Sequence, residues 1–516
     1  MIRLVRPPHT SGYNDLDVRE EAILTYLGGA LDRLEIEYDV SDFHLSRGLR
    51  FEDLLSGNPS HYIVSARETG ANVHYALRIA RALSRKAPDS CVALFGQTGR
   101  LGALSNQLDD GITVLPHDEA ALARWLGRVL DFNYARDARA SSYFGEQGMS
   151  TEQEVRRVAS LESSRGCAFK CGFCFINHGT NYPAQTNFRW LLPMQQDLEA
   201  YRTAGVRHVV FHDSEFFGPS PDSDANRRAL LESIRDDFPG TRFQIFARVD
   251  TLRRSGMRDL AKDAGLTKLF IGVESLADPD LRYLKKGIRS ETLVREIEQL
   301  RDAGIYLNLS FMLFNGSSSI ETLHENIRNL KRLASRNQRY LGPPNFLFSF
   351  EADWTGRRLH QLSDWSYIRW MSWKRNQPAD GVTFDPVLEP LVELCRIAFY
   401  EMACKVSALN HERSAGGLPI ADLKAIESWF EALWPFAVAL LETLLEEFAA
   451  GRLTMQRLPK YVETAYQMLT HLNAVLPPAL RGHHVRDDHA ARLIEGVGWT
   501  EAEDHGWDNV IPGAAA

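Results

Sequence analysis

Two long stretches of this chain alternate short apolar runs with amphipathic runs, and that alternation limits the fold more than any other feature. In the first, apolar runs fall at 1–5, 36–40, 62–66, 91–96 and 112–116, with helical spacing at 19–34, 73–86 and 119–130. In the second they fall at 158–163, 208–214, 243–249, 268–274, 306–313 and 346–352. Helical patterns at 193–204, 226–238, 256–264, 290–303 and 320–335 separate these. Apolar strands that alternate with helices are buried on both faces, which requires mostly parallel sheets. The first stretch predicts a doubly wound, Rossmann-type sheet, and the second, with six β/α units, an open partial barrel. Beyond 354 the strand pattern stops, and 386–407, 418–448 and 458–476 read as helices. The expected chain is α/β, with a sheet domain at 1–135, a linker at 136–155, a barrel at 156–354 and a helical region at 355–516.

Sheets of both kinds collect ligands at the carboxyl ends of their strands. The first barrel strand runs straight into SSRGCAFKCGFCFINHG (163–179), which sets Cys167, Cys171 and Cys174 in the pattern C-x3-C-x2-C. Three thiolates in one loop suit an iron–sulfur cluster, and they leave one iron of a [4Fe–4S] cluster open to a small molecule. The alternatives are three unrelated core cysteines or a zinc site completed by His178, which lacks the usual paired ligand spacing. At other strand ends stand Asp213 and Glu215, Arg248 and Asp250, Glu274 and Ser275, and the turn Asn315-Gly316-Ser317. Buried charges need partners. These are either rim salt bridges, such as Arg248 with Glu274, or a ligand carrying ammonium, carboxylate and hydroxyl groups.

With Phe173 just before its third cysteine, the motif resembles that of the radical S-adenosylmethionine (SAM) superfamily. The resemblance implies that Cys167, Cys171 and Cys174 hold the cluster and that Phe173 contacts the adenine of SAM. It also implies that Asp213, Glu215, Arg248 and Glu274 face SAM, which is cleaved to methionine and a 5′-deoxyadenosyl radical. The electron would come from a flavodoxin- or ferredoxin-type donor. The five-stranded stretch ahead of the motif resembles the cobalamin-binding subgroup of that superfamily. Pro7-Pro8 after strand one, the Gly96/Gly99 turn and the acidic HDEAA (117–121) carry this likeness, and they imply cobalamin contacts from Pro8, Gly96 and Gly99. One departure stands out. Asp42-Phe43-His44-Leu45-Ser46-Arg47-Gly48 is one residue too long for D-x-H-x-x-G. Cobalamin without a histidine ligand is therefore expected, with Arg67 or Glu68 nearest its lower face; the alternative is a sheet that serves as scaffold.

The leading expectation is cobalamin-dependent methyl transfer to an unactivated carbon of a small natural-product-type molecule. Hydrogen abstraction leading to rearrangement, oxidation or epimerisation is the second, and a non-catalytic electron-transfer partner the third. A net charge of −8 argues against nucleic acid as partner. An iron–sulfur cluster of this kind needs reducing conditions, so the cytoplasm is expected; no apolar run reaches the roughly 18 residues of a membrane span, and the opening residues do not read as a secretory signal. Cys395 and Cys404 read as buried thiols. Trp365, Tyr367, Trp370 and Trp373 suit either a substrate cavity or a core, and His483, His484 and His489 a solvated surface.

Overall fold

The computed structural model describes residues 1–7, 18–43, 45–46, 49–66, 71–96, 111–146, 157–171, 187–335, 341, 345–353, 358–361 and 418–481, with scattered residues between 386 and 409. Its first two strands part company. β1 (Ile2–Arg6) sits inside one sheet, while β2 (Val18–Arg19) leaves to join the edge of another. The first sheet adds β3 (Tyr38–Asp42), β4 (His61–Ser65), β5 (Cys91–Gly96) and β6 (Ile112–Pro116) in the parallel order β3-β1-β4-β5-β6. The order reverses between β1 and β4, which is where doubly wound sheets open a ligand crevice. Alternate residues face opposite ways. Leu4, Ile63 and Ala93 share a core with the helix Ala22–Arg33 and the barrel, whereas Val5, Val64 and Leu94 pack with the helix Ala71–Lys86.

The second sheet contains β7 (Arg157–Leu161), followed in the chain by the short pair β8 (Ser164–Arg165) and β9 (Asn187–Phe188). Its further strands are β10 (His208–Phe211), β11 (Arg242–Phe246), β12 (Leu266–Glu274), β13 (Tyr306–Phe314), β14 (Asn345–Asp353) and β15 (Arg358–Gln361). The order β15-β14-β13-β12-β11-β10-β7-β2 is parallel except for β15, so the six expected barrel strands are present and gain one strand at each edge. Both added strands lie outside the stretch expected for the barrel. The sheet runs past 354, and residues assigned to the N-terminal domain pair with the barrel: Val18 with Arg157 and Arg19 with Val158. Within the expected linker, Tyr143 and Phe144 are buried.

Helix ends follow local chemistry. Ser220 caps the helix Pro221–Asp237 by accepting from the Ser223 N–H at 3.3 Å, so that helix starts five residues before the apolar spacing predicts. The expected 256–264 helix is Arg258–Asp263, and an unexpected helix, Val249–Ser255, precedes it and ends at Gly256, at φ +64°. The helix expected over 119–130 stops at Trp125, ahead of Gly127 at φ +67°. In the C-terminal region, the helix Ile420–Ala449 buries Trp429, Leu433, Trp434 and Leu441 and packs on the helix Ile320–Leu333. No helix among the described residues is long and apolar enough to cross a membrane.

Candidate active site at the barrel mouth

β7 delivers the chain to the cysteine loop, and the antiparallel pair of β8 with β9 closes the neck of that loop. Beyond β9 the Arg189 N–H donates to the Ser163 carbonyl at 3.0 Å, extending the closure. Cys167 is half-buried and Cys171 buried, while Phe173 and Cys174 lie outside the described residues. Cys171 packs with Leu284, Met312, Phe169 and Tyr283. Burial pushes the Cys167 thiol up to about 11, and the neighbouring charges of Glu215 and Cys171 push the same way. Two soft sulfurs close together in a largely buried pocket suit a metal centre, which binds thiolates and displaces their protons.

Arg248, at the end of β11, stands against this pocket. Its guanidinium lies 4.2 Å from the Phe169 ring centroid and donates to Cys171 Sγ at 3.5 Å. It also pairs with Asp250 at 2.8 Å and donates to the Lys286 carbonyl. The rim pairing of Arg248 with Glu274 is therefore not formed. Glu274 pairs with Lys286 at 3.5 Å, and Lys286 also donates to the Gly272 carbonyl at 2.9 Å. Burial raises the Glu274 carboxyl against the opposing pull of Lys286. Glu274 itself sits at φ +66° beside an irregularity in the β12–β13 register. A Cβ on Gly272 would lie 2.4 Å from Glu274 Oε1, so the strand accepts this folded-back carboxylate only at a glycine.

Asp213 and Glu215 are deeper. Asp213 accepts from the Ser163 N–H at 2.9 Å, the Ser163 hydroxyl at 2.7 Å, the Ser164 hydroxyl at 2.5 Å and Arg227 at 3.1 Å. Glu215 accepts from the Arg248 N–H at 2.7 Å, Thr251 at 2.7 Å and the Phe217 N–H at 3.2 Å. Burial raises Glu215 to about 7 despite those donors. One residue ties down the start of the loop and the other fixes the backbone that carries Arg248.

Among the described residues, Asn315 Nδ2 and Ser65 Oγ are buried at sheet ends without a partner. The Asn315 Oδ1 accepts from the Ser317 N–H at 2.9 Å, which fixes the amide orientation, and its Nδ2 is left without an acceptor at the end of β13. In the first sheet, Ser65 Oγ is buried without a partner at the end of β4, beside the reversal of strand order. Buried hydroxyls and amides are seldom left unbonded. Each thus fits a site completed by a bound molecule, one at the barrel mouth and one in the crevice where cobalamin is expected. Sequence reading missed Ser65, although a single polar residue closing the apolar strand HYIVS was the available sign. Gly96 ends β5 in the same sheet, and Pro8, Arg67, Glu68, Gly99 and His44 lie outside the described residues. Asp42 of the departed motif pairs instead with Arg6 at 3.0 Å and accepts from the Tyr143 hydroxyl at 2.9 Å. In the C-terminal region Cys395 is a buried free thiol, raised by burial, whereas Cys404, the Trp365–Trp373 stretch and His483, His484 and His489 lie outside the described residues.

A parallel partial barrel whose first strand leads into the three-cysteine stretch is the arrangement that the sequence resemblance implied. Residues 161–330 match the family model of the Radical SAM superfamily. That stretch is therefore a radical SAM domain, and the chain shares the fold of cobalamin-dependent radical SAM enzymes. It superimposes on the cobalamin-dependent SAM radical enzyme OxsB with TM-score 0.68 at 15% identity, covering 96% of this chain and 83% of OxsB. The radical SAM methyltransferase TsrM from Kitasatospora setae gives TM-score 0.54 at 15% identity, covering 87% of this chain and 99% of TsrM. Among curated proteins, 4′-phospho-dehydrooxetanocin synthase of Priestia megaterium is 27% identical over 196 residues, which are 35% of this chain and 26% of that protein. The anaerobic magnesium-protoporphyrin IX monomethyl ester cyclase of Rubrivivax gelatinosus is 28% identical over 178 residues, 33% of this chain and 30% of that protein. The match thus spans about a quarter to a third of the length of these curated relatives.

Proposed function

We propose that this radical SAM enzyme binds cobalamin at its N-terminal sheet and transfers methyl to an unactivated carbon of a small natural-product-type substrate. The observation that supports this most is the pairing of the two sites in one chain. The cysteine loop lies at the barrel mouth, and a β3-β1-β4-β5-β6 sheet ends in a crevice holding the unpartnered Ser65 hydroxyl. When bound, the cluster and SAM supply a carbon-centred radical, and cobalamin supplies a methyl carrier. The chain's own residues then have distinct tasks. Cys167, Cys171 and Cys174 hold the cluster, and Arg248 orients Cys171 while its charge faces the SAM carboxylate. Glu274, Phe173 and Asn315 face SAM. Asp213 and Glu215 brace the loop from behind, because their oxygens are already taken by Ser163, Ser164, Arg227, Arg248 and Thr251. In the first sheet Ser65, Gly96 and Gly99, with Pro8, Arg67 and Glu68, border the cobalamin crevice.

A second reading keeps hydrogen abstraction and omits methyl transfer. It is favoured by the curated relatives, one called a synthase and the other a cyclase. Product analysis separates the two after anaerobic purification with hydroxocobalamin supplied. Methyl transfer yields S-adenosylhomocysteine together with 5′-deoxyadenosine, and the second reading yields 5′-deoxyadenosine alone. Cys171→Ala should give a folded protein that forms no 5′-deoxyadenosine. If that variant still released 5′-deoxyadenosine, the cysteine assignment would be wrong.

A further inference from the structure

The neck of the cysteine loop is gripped from outside the barrel. On the entry strand, Arg165 stands two residues ahead of Cys167, and it pairs with Glu119 through two contacts of 2.9 and 2.8 Å and with Glu162 at 2.6 Å. Glu119 opens the helix that follows β6, the last strand of the N-terminal sheet, so its carboxylate crosses from that sheet to the loop. It belongs to the acidic HDEAA segment that the family resemblance tied to cobalamin, yet its oxygens are spent on Arg165. Just beyond the exit strand, Arg189 is fully buried, pairs with Asp197 at 2.7 Å and donates to the Ala138 carbonyl.

Tyr26 lies between the two arginines. It is carried by the helix Ala22–Arg33, which packs on both β1 and β7. Its hydroxyl accepts from the Glu162 N–H at 2.8 Å and from Arg189 at 2.8 Å, and donates to the Glu162 carbonyl at 3.2 Å. The Arg165 and Arg189 guanidinium carbons sit 5.6 and 5.3 Å from the Tyr26 ring centroid, and Arg165 lies 4.4 Å from that of Tyr134. One phenol oxygen thus joins the backbone entering the loop to the side chain leaving it. Hydrogen bonds are directional and, when buried, costly to leave unmade, so this arrangement fixes the separation of the two strands and not merely their burial.

We propose that Tyr26 and Glu119 are positioning residues for the cluster-binding loop, through which the N-terminal sheet sets the geometry of the cysteines. This rests on the reading of Cys167, Cys171 and Cys174 as cluster ligands. Groups behind the ligands of a metal centre commonly alter its affinity and electronics.

The test uses full-length, anaerobically reconstituted protein with Tyr26→Phe, Glu119→Gln and, as a control, Tyr201→Phe. The control removes another buried hydroxyl, one that donates to Glu20 at 2.8 Å. Tyr26→Phe should keep its iron in buffer but lose it to a chelator roughly tenfold faster than wild type. It should also change the electron paramagnetic resonance spectrum of the reduced cluster and the shift that SAM induces in it. Glu119→Gln should do the same to a smaller extent. Tyr201→Phe should lower the melting temperature and leave spectrum and chelator rate unchanged. If Tyr26→Phe matches wild type in both, or differs no more than the control, the positioning role is wrong. If Glu119→Gln fails to fold, Tyr26→Phe decides alone. Wild-type protein that takes up no iron would instead overturn the cluster assignment.

Discussion

On its N-terminal side the barrel is joined through Arg165, Arg189, Tyr26 and their carboxylates, all buried, whereas on its C-terminal side Phe311 and the helix Ile320–Leu333 meet Trp434 and its apolar neighbours. The described ion pair across the second joint, Lys331 with Glu442, is exposed. Apolar contact is non-directional and tolerates small slips, while a buried, hydrogen-bonded ion pair punishes them. The polar joint borders the start of the cysteine loop, and the apolar joint holds the helix Ile420–Ala449.

Removing one member of the polar joint should therefore do the most damage. Arg189→Met leaves buried Asp197 with only part-exposed Arg139 as its cation, and should cost about 3–5 kcal/mol in denaturant unfolding. A loss under about 1 kcal/mol would mean that the joint is no stronger than a surface pair.

The same region should give the protein a pH dependence. Glu20 is buried and accepts from Ser142, Tyr143 and Tyr201, and burial raises it to about 7 from an ordinary 4.5. A carboxyl raised on folding favours the protonated folded state, so its contribution is intact below 4.5 and is lost as pH climbs to about 7. The loss is roughly 3 kcal/mol. Glu20→Gln should make the fall in stability across that window shallower, and an unchanged slope would remove Glu20 from the account.

At the apolar joint the effects should be smaller and free of pH. Phe311→Leu breaks the edge-to-face contact with Trp434, whose centroids are 6.4 Å apart, and should cost about 1 kcal/mol. Lys331→Ala should cost under about 0.5 kcal/mol, and that only at low salt. If Lys331→Ala proved as harmful as Arg189→Met, the contrast between the joints would collapse.

Much of this architecture was legible because apolar periodicity is a local property. The strands around Val64, Leu94, Val209 and Ile271 announced themselves, and so did the loop of Cys167 and Cys171. What escaped was set by partners far away in the chain. β2, β8 and β9 are two residues each, too short to show any period, and exist only through pairing. A strand end does not reveal that Asp213 and Glu215 accept hydrogen bonds from Ser163, Arg227 and Thr251. Glu119 looked like part of a cofactor motif because nothing local points to Arg165, 46 residues on. The helix start at Ser220, by contrast, could have been read from Ser220-Pro221.

The pairing of Val18 with Arg157 bears on how such a protein could be cut or recombined. A break near residue 135, where composition suggests a seam between modules, would leave the barrel without an edge strand, and the helix carrying Tyr26 would depart with it. Exchange of the N-terminal sheet between relatives therefore has to carry residues 18–33 with the recipient barrel, so that the true seam is two cuts flanking a shared segment.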